Sequence, residues 1–273
     1  EGVLFSRVPQ ITIVHDLLPL LYPAEYPRQQ YYFRHYVPAV LRHSRAVIVI
    51  SESTRRDVLR FYRLPPDKVH CVLSGYDGAQ FQPDGPAAHD ESGEPFALYV
   101  GNVMPHKNLP RLIDAFAAAA SRGPGRLVMR GGGQPRHVDP LRARIAALGI
   151  ADRVDWQPYA SADELPRLYR GARMLLLPSL YEGFGLTALE AMASGTPVIA
   201  ADTSSIPEVV GDAALLVPPL GTGALADAIA RVFTDDRLAK DLIGRGLARA
   251  RLFSWERTGR AVHDVIRGVL GEA

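Results

Sequence analysis

The sequence predicts an α/β chain of two lobes, each a parallel sheet covered by helices, and three observations carry that prediction. Short apolar runs of buried-strand length, such as Ala46-Val-Ile-Val-Ile50 and Met174-Leu-Leu-Leu177, recur between stretches with helical spacing of apolar residues. A polar segment rich in Gly and Pro, from Ser74 through Pro95, interrupts that alternation as a linker between lobes would. The composition, 273 residues with 47% hydrophobic and 22% charged, suffices for one large core or two smaller ones.

In the first lobe, residues 10–14, 46–50 and 69–73 read as strands, with helical stretches near 29–43 and 53–62. That is half of a Rossmann-like lobe, and its boundary is expected near residues 85–95. The second lobe reads as complete: strands at 96–100, 126–130, 153–156, 173–177, 197–201 and 214–217 alternate with helices in the pattern of a doubly wound parallel sheet. Asn108 followed by Pro110 marks a helix start, and Ser205 with Glu208 has capping-box spacing. Helices near 222–233, 236–252 and 255–270 close the chain. The expected domains are residues 1–90 and 91–273.

A net charge of +2 gives no argument for nucleic acid. Cys71 is the only cysteine, which excludes an intrachain disulfide and a cysteine zinc site and makes a reducing cytoplasm the default expectation. No run of eighteen apolar residues occurs, and the first residues lack the order of a signal peptide. The stretch Arg28 to Arg45 mixes four arginines with Tyr31, Tyr32, Phe33 and Tyr36. A buried amphipathic helix is the expected reading, a peripheral contact with an anionic bilayer the alternative, and Pro38 argues against one straight helix.

The most informative stretch runs from Ser179 to Val198, with Glu182 and Glu190 separated by seven residues around a Gly-Phe-Gly turn. An apolar strand precedes the turn and a helical pattern follows it. Gly183 and Gly185, on either side of Phe184, let backbone approach a ligand, and the amides opening the helix at Leu186 and Thr187 form an anion site suited to a diphosphate. Glu182 can accept hydrogen bonds from sugar hydroxyls, and Glu190, about one turn inside the helix, from a second polyol such as a ribose.

This segment resembles the Glu-x7-Glu motif of the retaining glycosyltransferases of glycosyltransferase family 4. The resemblance extends to Tyr99-Val-Gly-Asn-Val-Met-Pro-His-Lys-Asn-Leu109, to Ile206-Pro-Glu-Val-Val210 within Ala201–Pro219, to His15-Asp-Leu-Leu-Pro19, to Val49-Ile-Ser-Glu-Ser53 and to Phe253-Ser-Trp-Glu256. It covers essentially the whole chain. It implies a GT-B fold, a nucleoside diphosphate sugar as donor, and transfer to a hydroxyl of a saccharide or lipid-linked saccharide, with mannose loosely suggested. It implies retention by same-face attack, no bound metal and no cofactor besides the donor.

The resemblance also distributes roles. Gly101 ends a strand beside the donor, Lys107 neutralises the diphosphate next to Asn108, and His15 lies near the transferred sugar, although a lone histidine also suits a core or capping role. Tyr159 falls where relatives hold the base, with packing as an equal alternative. Arg130 is either a second positive contact or half of a structural ion pair. Many relatives carry arginine where this chain has His106, which makes pH-sensitive binding an expectation. Relatives usually begin with further strands and a glycine-rich loop. The first lobe is therefore expected to be truncated, with three alternatives: the chain is a fragment, the missing strands come from another chain, or the shortened lobe has its own closure.

Competing chemistries lack their signatures. Arg130-Gly-Gly-Gly-Gln-Pro-Arg136 is not a dinucleotide fingerprint, Gly101 to Asn108 is no Walker loop, and no Asp-x-Asp, His-Glu-x-x-His or Gly-x-Ser-x-Gly occurs. The expected protein is a cytoplasmic transferase, free or peripheral at the inner membrane face, acting in polysaccharide or glycolipid assembly. The alternatives are a sugar-nucleotide-binding module without turnover of its own and, more remotely, a sugar-nucleotide epimerase.

Overall fold

The structure, a computed structural model, describes residues 8–88, 93–121, 123 and 125–271. Its first part runs β1 (Ile11–Val14), α1 (Leu18–Leu21), α2 (Pro27–His35), α3 (Val37–His43), β2 (Ala46–Val49), α4 (Glu52–Tyr62) and β3 (Val69–Cys71). Next come β4 (Phe96–Val100), α5 (Leu109–Ala120), β5 (Arg126–Arg130), α6 (Pro135–Ala147), β6 (Val154–Gln157), α7 (Glu164–Gly171) and β7 (Met174–Leu177). The remainder is α8 (Leu186–Ala193), β8 (Val198–Ala201), α9 (Ile206–Val210), β9 (Ala214–Val217), α10 (Thr222–Thr234), α11 (Asp236–Ala250) and α12 (Trp255–Leu270).

Two compact units result: Glu1–Gly75 with Glu182–Phe184 and Phe253–Ala273, and Tyr76–Tyr181 with Gly185–Leu252. This division differs from the expected one at 90/91. The chain leaves the first unit after Gly75, fifteen residues earlier, and α12, expected in the second lobe, belongs to the first unit. The reason is contact at long sequence separation. Gly75 lies so close to the Ser254–Trp255 backbone that a Cβ there would overlap the Trp255 nitrogen, Thr258 Oγ1 donates to the Leu73 carbonyl at 2.7 Å, and α12 packs on β2. Of the expected boundary region, residues 89–92 lie outside the described residues.

The first unit holds a three-stranded parallel sheet ordered β1-β2-β3, in register Ile11 to Ala46 and Val47 to Val69. Every residue of β2 is buried, as the continuous apolar run Ala46–Val49 predicts for a strand covered on both faces. Val14, Leu17, Leu41, Val58 and Tyr62 close the core around it. Ser51 caps α4 by accepting from the Thr54 amide at 3.0 Å. The single helix expected near 29–43 is broken at Tyr36, with Pro38 in the first turn of α3. Helix α2 buries no residue, and Tyr31 is 69% exposed, which corrects the buried amphipathic helix expected there; α3 does bury Val37, Val40 and Leu41.

The second unit holds a six-stranded sheet, all parallel, ordered β6-β5-β4-β7-β8-β9. Counted within the unit this is the order 3-2-1-4-5-6 of a doubly wound fold, which reverses between β4 and β7. The strands β7 and β8 are wholly buried. Helix α5 packs Leu112, Ile113 and Phe116 into the core, where α10 meets it with Leu225, Ile229 and Val232. Ser205, expected to cap α9 with its side chain, makes no such cap bond. Loops 101–108 and 178–181 leave the carboxyl ends of β4 and β7, the strands at which the order reverses.

Candidate donor site at the strand switch point

In the second unit, two loops are stitched together at the switch point. The Asn108 backbone takes the left-handed conformation (φ 57°), and its side-chain amide donates to the carbonyls of Pro178 and Pro219, each at 3.0 Å. The Leu180 amide donates to the His106 carbonyl at 2.7 Å. Asn108 is therefore a brace that fixes the start of α5 against the ends of β7 and β9, rather than the ligand contact expected from the sequence. His106 is also structural in placement: only 2% of it is exposed, so the expected pH-sensitive contact at that position is replaced by a buried ring.

Lys107 ends the short 3₁₀ turn Pro105–Lys107 and is half-buried. Its stem passes over Gly101: a Cβ built there would meet Lys107 Cε at 3.9 Å and the Tyr99 hydroxyl at 2.8 Å. Behind it, a Cβ on Gly131 would overlap the Gly101 carbonyl oxygen. The ends of β4 and β5 thus touch backbone to backbone, which only glycine at 131 permits.

Across the switch point, Gly185 sits at φ 105°, a conformation open to glycine, and turns the chain into α8. Its carbonyl accepts from Ala188 and Leu189. The amides of Leu186 and Thr187 make no hydrogen bond among the described residues, the arrangement that binds an anion at a helix start. Leu186 is 40% exposed and contributes backbone rather than a buried side chain.

Glu190 lies one turn further on. The Tyr169 hydroxyl donates to its Oε2 at 2.9 Å. Burial raises the Glu190 carboxyl from 4.5 to about 7, against the opposing pull of the Tyr169 hydrogen bond. Tyr169 is itself fully buried, and burial with the neighbouring carboxylate holds its phenol well above 10. Sequence reasoning missed Tyr169. The available signal was its place in Leu168-Tyr169 on an amphipathic helix, since a buried tyrosine needs a partner for its hydroxyl.

The remaining expected contacts divide. Arg130 is 7% exposed, and its guanidinium is held by Asp155 Oδ2 at 2.9 Å and Glu164 Oε1 at 3.3 Å. Of the two readings left open for it, the ion pair is the one present. Tyr159 is 72% exposed and leans on Gly132, whose Cβ would come within 3.3 Å of the ring.

Four expected residues, His15, Glu182, Gly183 and Phe184, fall in the first unit. His15 is exposed at the end of β1 and lines a cavity of about 340 Å³ with Asp16, Tyr32, Phe33 and Val37. Thr54 Oγ1 donates at 3.3 Å to both the His15 and the Gly183 carbonyls, so these two site candidates share one hydroxyl. Thr54 is a positioning residue that the sequence did not suggest. Glu182, next to Gly183, is half-buried. Phe184 packs edge-on against Phe253, ring centroids 6.0 Å apart, which makes it a packing residue rather than the binding contact expected. A second cavity, of about 640 Å³, is lined by Arg42, His43, Arg45 and Lys68 at the amino ends of the strands.

Among the described residues, no group of three or more His, Cys, Asp or Glu is arranged to hold a metal ion. No helix among them is long and apolar enough to cross a membrane.

The fold defines a GT-B protein, with each of its two units built on a parallel sheet. The family model for glycosyl transferases group 1 matches residues 83–249 and that for Glycosyltransferase Family 4 matches residues 2–80, and the chain belongs to this family. It is 29% identical over 255 residues to an O-antigen chain mannosyltransferase B of Escherichia coli, covering 90% of this chain and 67% of that protein. It is 36% identical over 231 residues to a D-inositol 3-phosphate glycosyltransferase of Nocardia farcinica, covering 80% of this chain and 51% of the relative. The chain thus spans between half and two thirds of these relatives' lengths. Among solved structures, a sucrose-phosphate synthase from Thermosynechococcus elongatus superimposes with a TM-score of 0.80 at 27% identity, over 96% of this chain and 68% of that one. Anabaena HepE in complex with UDP and glucose gives 0.81 at 20% identity, over 95% and 72%.

Proposed function

We propose that the chain serves a retaining, metal-independent glycosyltransferase that moves a sugar from a nucleoside diphosphate sugar to a hydroxyl of a saccharide or lipid-linked saccharide. Lys107 and the amides at Leu186 and Thr187 stabilise the diphosphate, whose negative charge grows as the glycosidic bond breaks. Glu190 accepts from the ribose, Glu182 orients the sugar, and His15 is the residue proposed to act on the transferred group. Retention follows from same-face attack, in which the departing phosphate takes the acceptor's proton. The mannosyltransferase likeness over 90% of the chain supports mannose as the sugar. A cytoplasmic setting suits a donor of this class.

The observation that carries this reading is the stitching of the Lys107 loop to residues 178–180 at the end of β7 by the Asn108 and Leu180 hydrogen bonds, in the same unit as the bare start of α8. A binding module without turnover is the second reading, because Lys107, Leu186, Thr187 and Glu190 all lie within the second unit. Calorimetric titration with UDP, GDP and ADP, then with the matching sugar nucleotides with and without lipid-linked saccharides, separates the two. Binding of one nucleotide with acceptor-dependent release of nucleoside diphosphate supports the transferase. Binding without release supports the module, and no binding at all sinks both.

A further inference from the structure

Tyr169 lies on α7, outside the strand-end loops, and is held on several sides. It is fully buried, its ring meets Phe81 edge-on at 5.7 Å, and Thr196 Oγ1 donates to its carbonyl at 2.6 Å. Its hydroxyl has one acceptor, Glu190 Oε2 at 2.9 Å. The phenol keeps its proton throughout the working pH range, so it acts as a permanent donor. The Glu190 carboxyl, by contrast, has the Tyr169 hydroxyl as its only hydrogen-bond partner among the described residues, and Oε1 keeps its lone pairs.

A glutamate on a helix has three rotatable bonds, and a ligand that uses it must arrest them. We infer that Tyr169 is a positioning residue for the proposed nucleotide site: its hydroxyl holds Glu190 so that Oε1 is presented to the hydroxyls of a ribose. The inference rests on the donor-site reading above. Hydroxyl recognition by a carboxylate so held discriminates strongly, because a ligand lacking the hydroxyls leaves a half-buried carboxylate unmatched.

The test titrates the folded chain with whichever of UDP, GDP or ADP binds best and with its 2′,3′-dideoxy counterpart, for wild type and Tyr169→Phe. Phenylalanine keeps the ring against Phe81 and removes only the donor. The expected result is that wild type prefers the ribose form by about tenfold or more, while Tyr169→Phe loses about tenfold for that form and less than about twofold for the dideoxy form. In a Glu190→Gln background, Tyr169→Phe should remove no further ribose preference. Equal weakening of both ligands would assign Tyr169 to packing alone and overturn the inference, as would no change in either. Wild type that binds nucleotide without preferring ribose overturns it while the donor site stands; wild type that binds no nucleotide removes the donor site and the inference with it. Should Tyr169→Phe not fold, Thr196→Val, which loosens the same tyrosine, is expected to give a weaker version of the same selective loss, and its absence counts against the inference.

Discussion

Glu190→Gln should make the protein more stable and a poorer binder, and the size of the gain is set by the burial of one carboxyl. The folded carboxyl is raised from 4.5 to about 7. The folded chain therefore holds a proton that the unfolded chain releases from about pH 4.5 upward. Stability contributed by that proton is complete below the unfolded value, declines as pH rises towards 7, and is gone above it. At about 1.4 kcal/mol per tenfold change in protonation, the full cost of ionising Glu190 in place is about 3 kcal/mol. Glutamine has the shape of the protonated acid and still accepts from the Tyr169 hydroxyl. Urea unfolding of both proteins should then coincide at pH 4 and separate at pH 8, with Glu190→Gln more stable by up to about 3 kcal/mol. Nucleoside diphosphate affinity should fall in the same variant, the usual relation between a strained site and its function. A stability difference of the same size at both pH values would refute the argument, because only a titrating group produces the separation.

The remaining predictions concern the loops. Gly131→Ala should cost about 3 kcal/mol by urea unfolding and weaken nucleotide binding, since its methyl overlaps the Gly101 carbonyl; wild-type stability would contradict the close approach. Lys107→Ala should weaken a nucleoside diphosphate about tenfold or more while leaving the nucleoside nearly unchanged, and equal weakening in calorimetry would point to a folding defect instead. Glu182→Ala should suppress sugar transfer while nucleoside diphosphate affinity stays within about twofold; loss of both together would take Glu182 away from the sugar.

Much of this architecture was legible because it is local. Wholly buried parallel strands demand continuous apolar runs, and β2, β7 and β8 lie on such runs. The anion site was legible too, since a strand, a glycine turn and a helical pattern follow one another in sequence. What stayed hidden depends on contacts across long separations. Helix α12 reads as the natural end of the second lobe until Gly75 and Leu73 are seen to receive its first turn. Asn108 reads as a ligand contact beside Lys107, and only the arrival of Pro178 and Pro219 makes it a brace. Arg130 could be either cation or ion-pair member until Asp155 and Glu164 appear beside it.

The Gly-Phe-Gly turn shows how one short motif serves both units. Gly183 belongs with the first unit and Gly185 with the second, and they are required for different reasons. At Gly183 the constraint is space: a Cβ would stand 2.5 Å from the His15 carbonyl oxygen, the same carbonyl that shares the Thr54 hydroxyl with Gly183. At Gly185 nothing lies within 4 Å of the missing Cβ, and the constraint is the backbone at φ 105° that opens α8. Alanine at 183 would therefore push the Glu182 loop off β1 and leave α8 formed, whereas alanine at 185 would strain the helix start that holds the bare amides. The two carboxylates divide the same way, Glu182 with the first unit and Glu190 with the second.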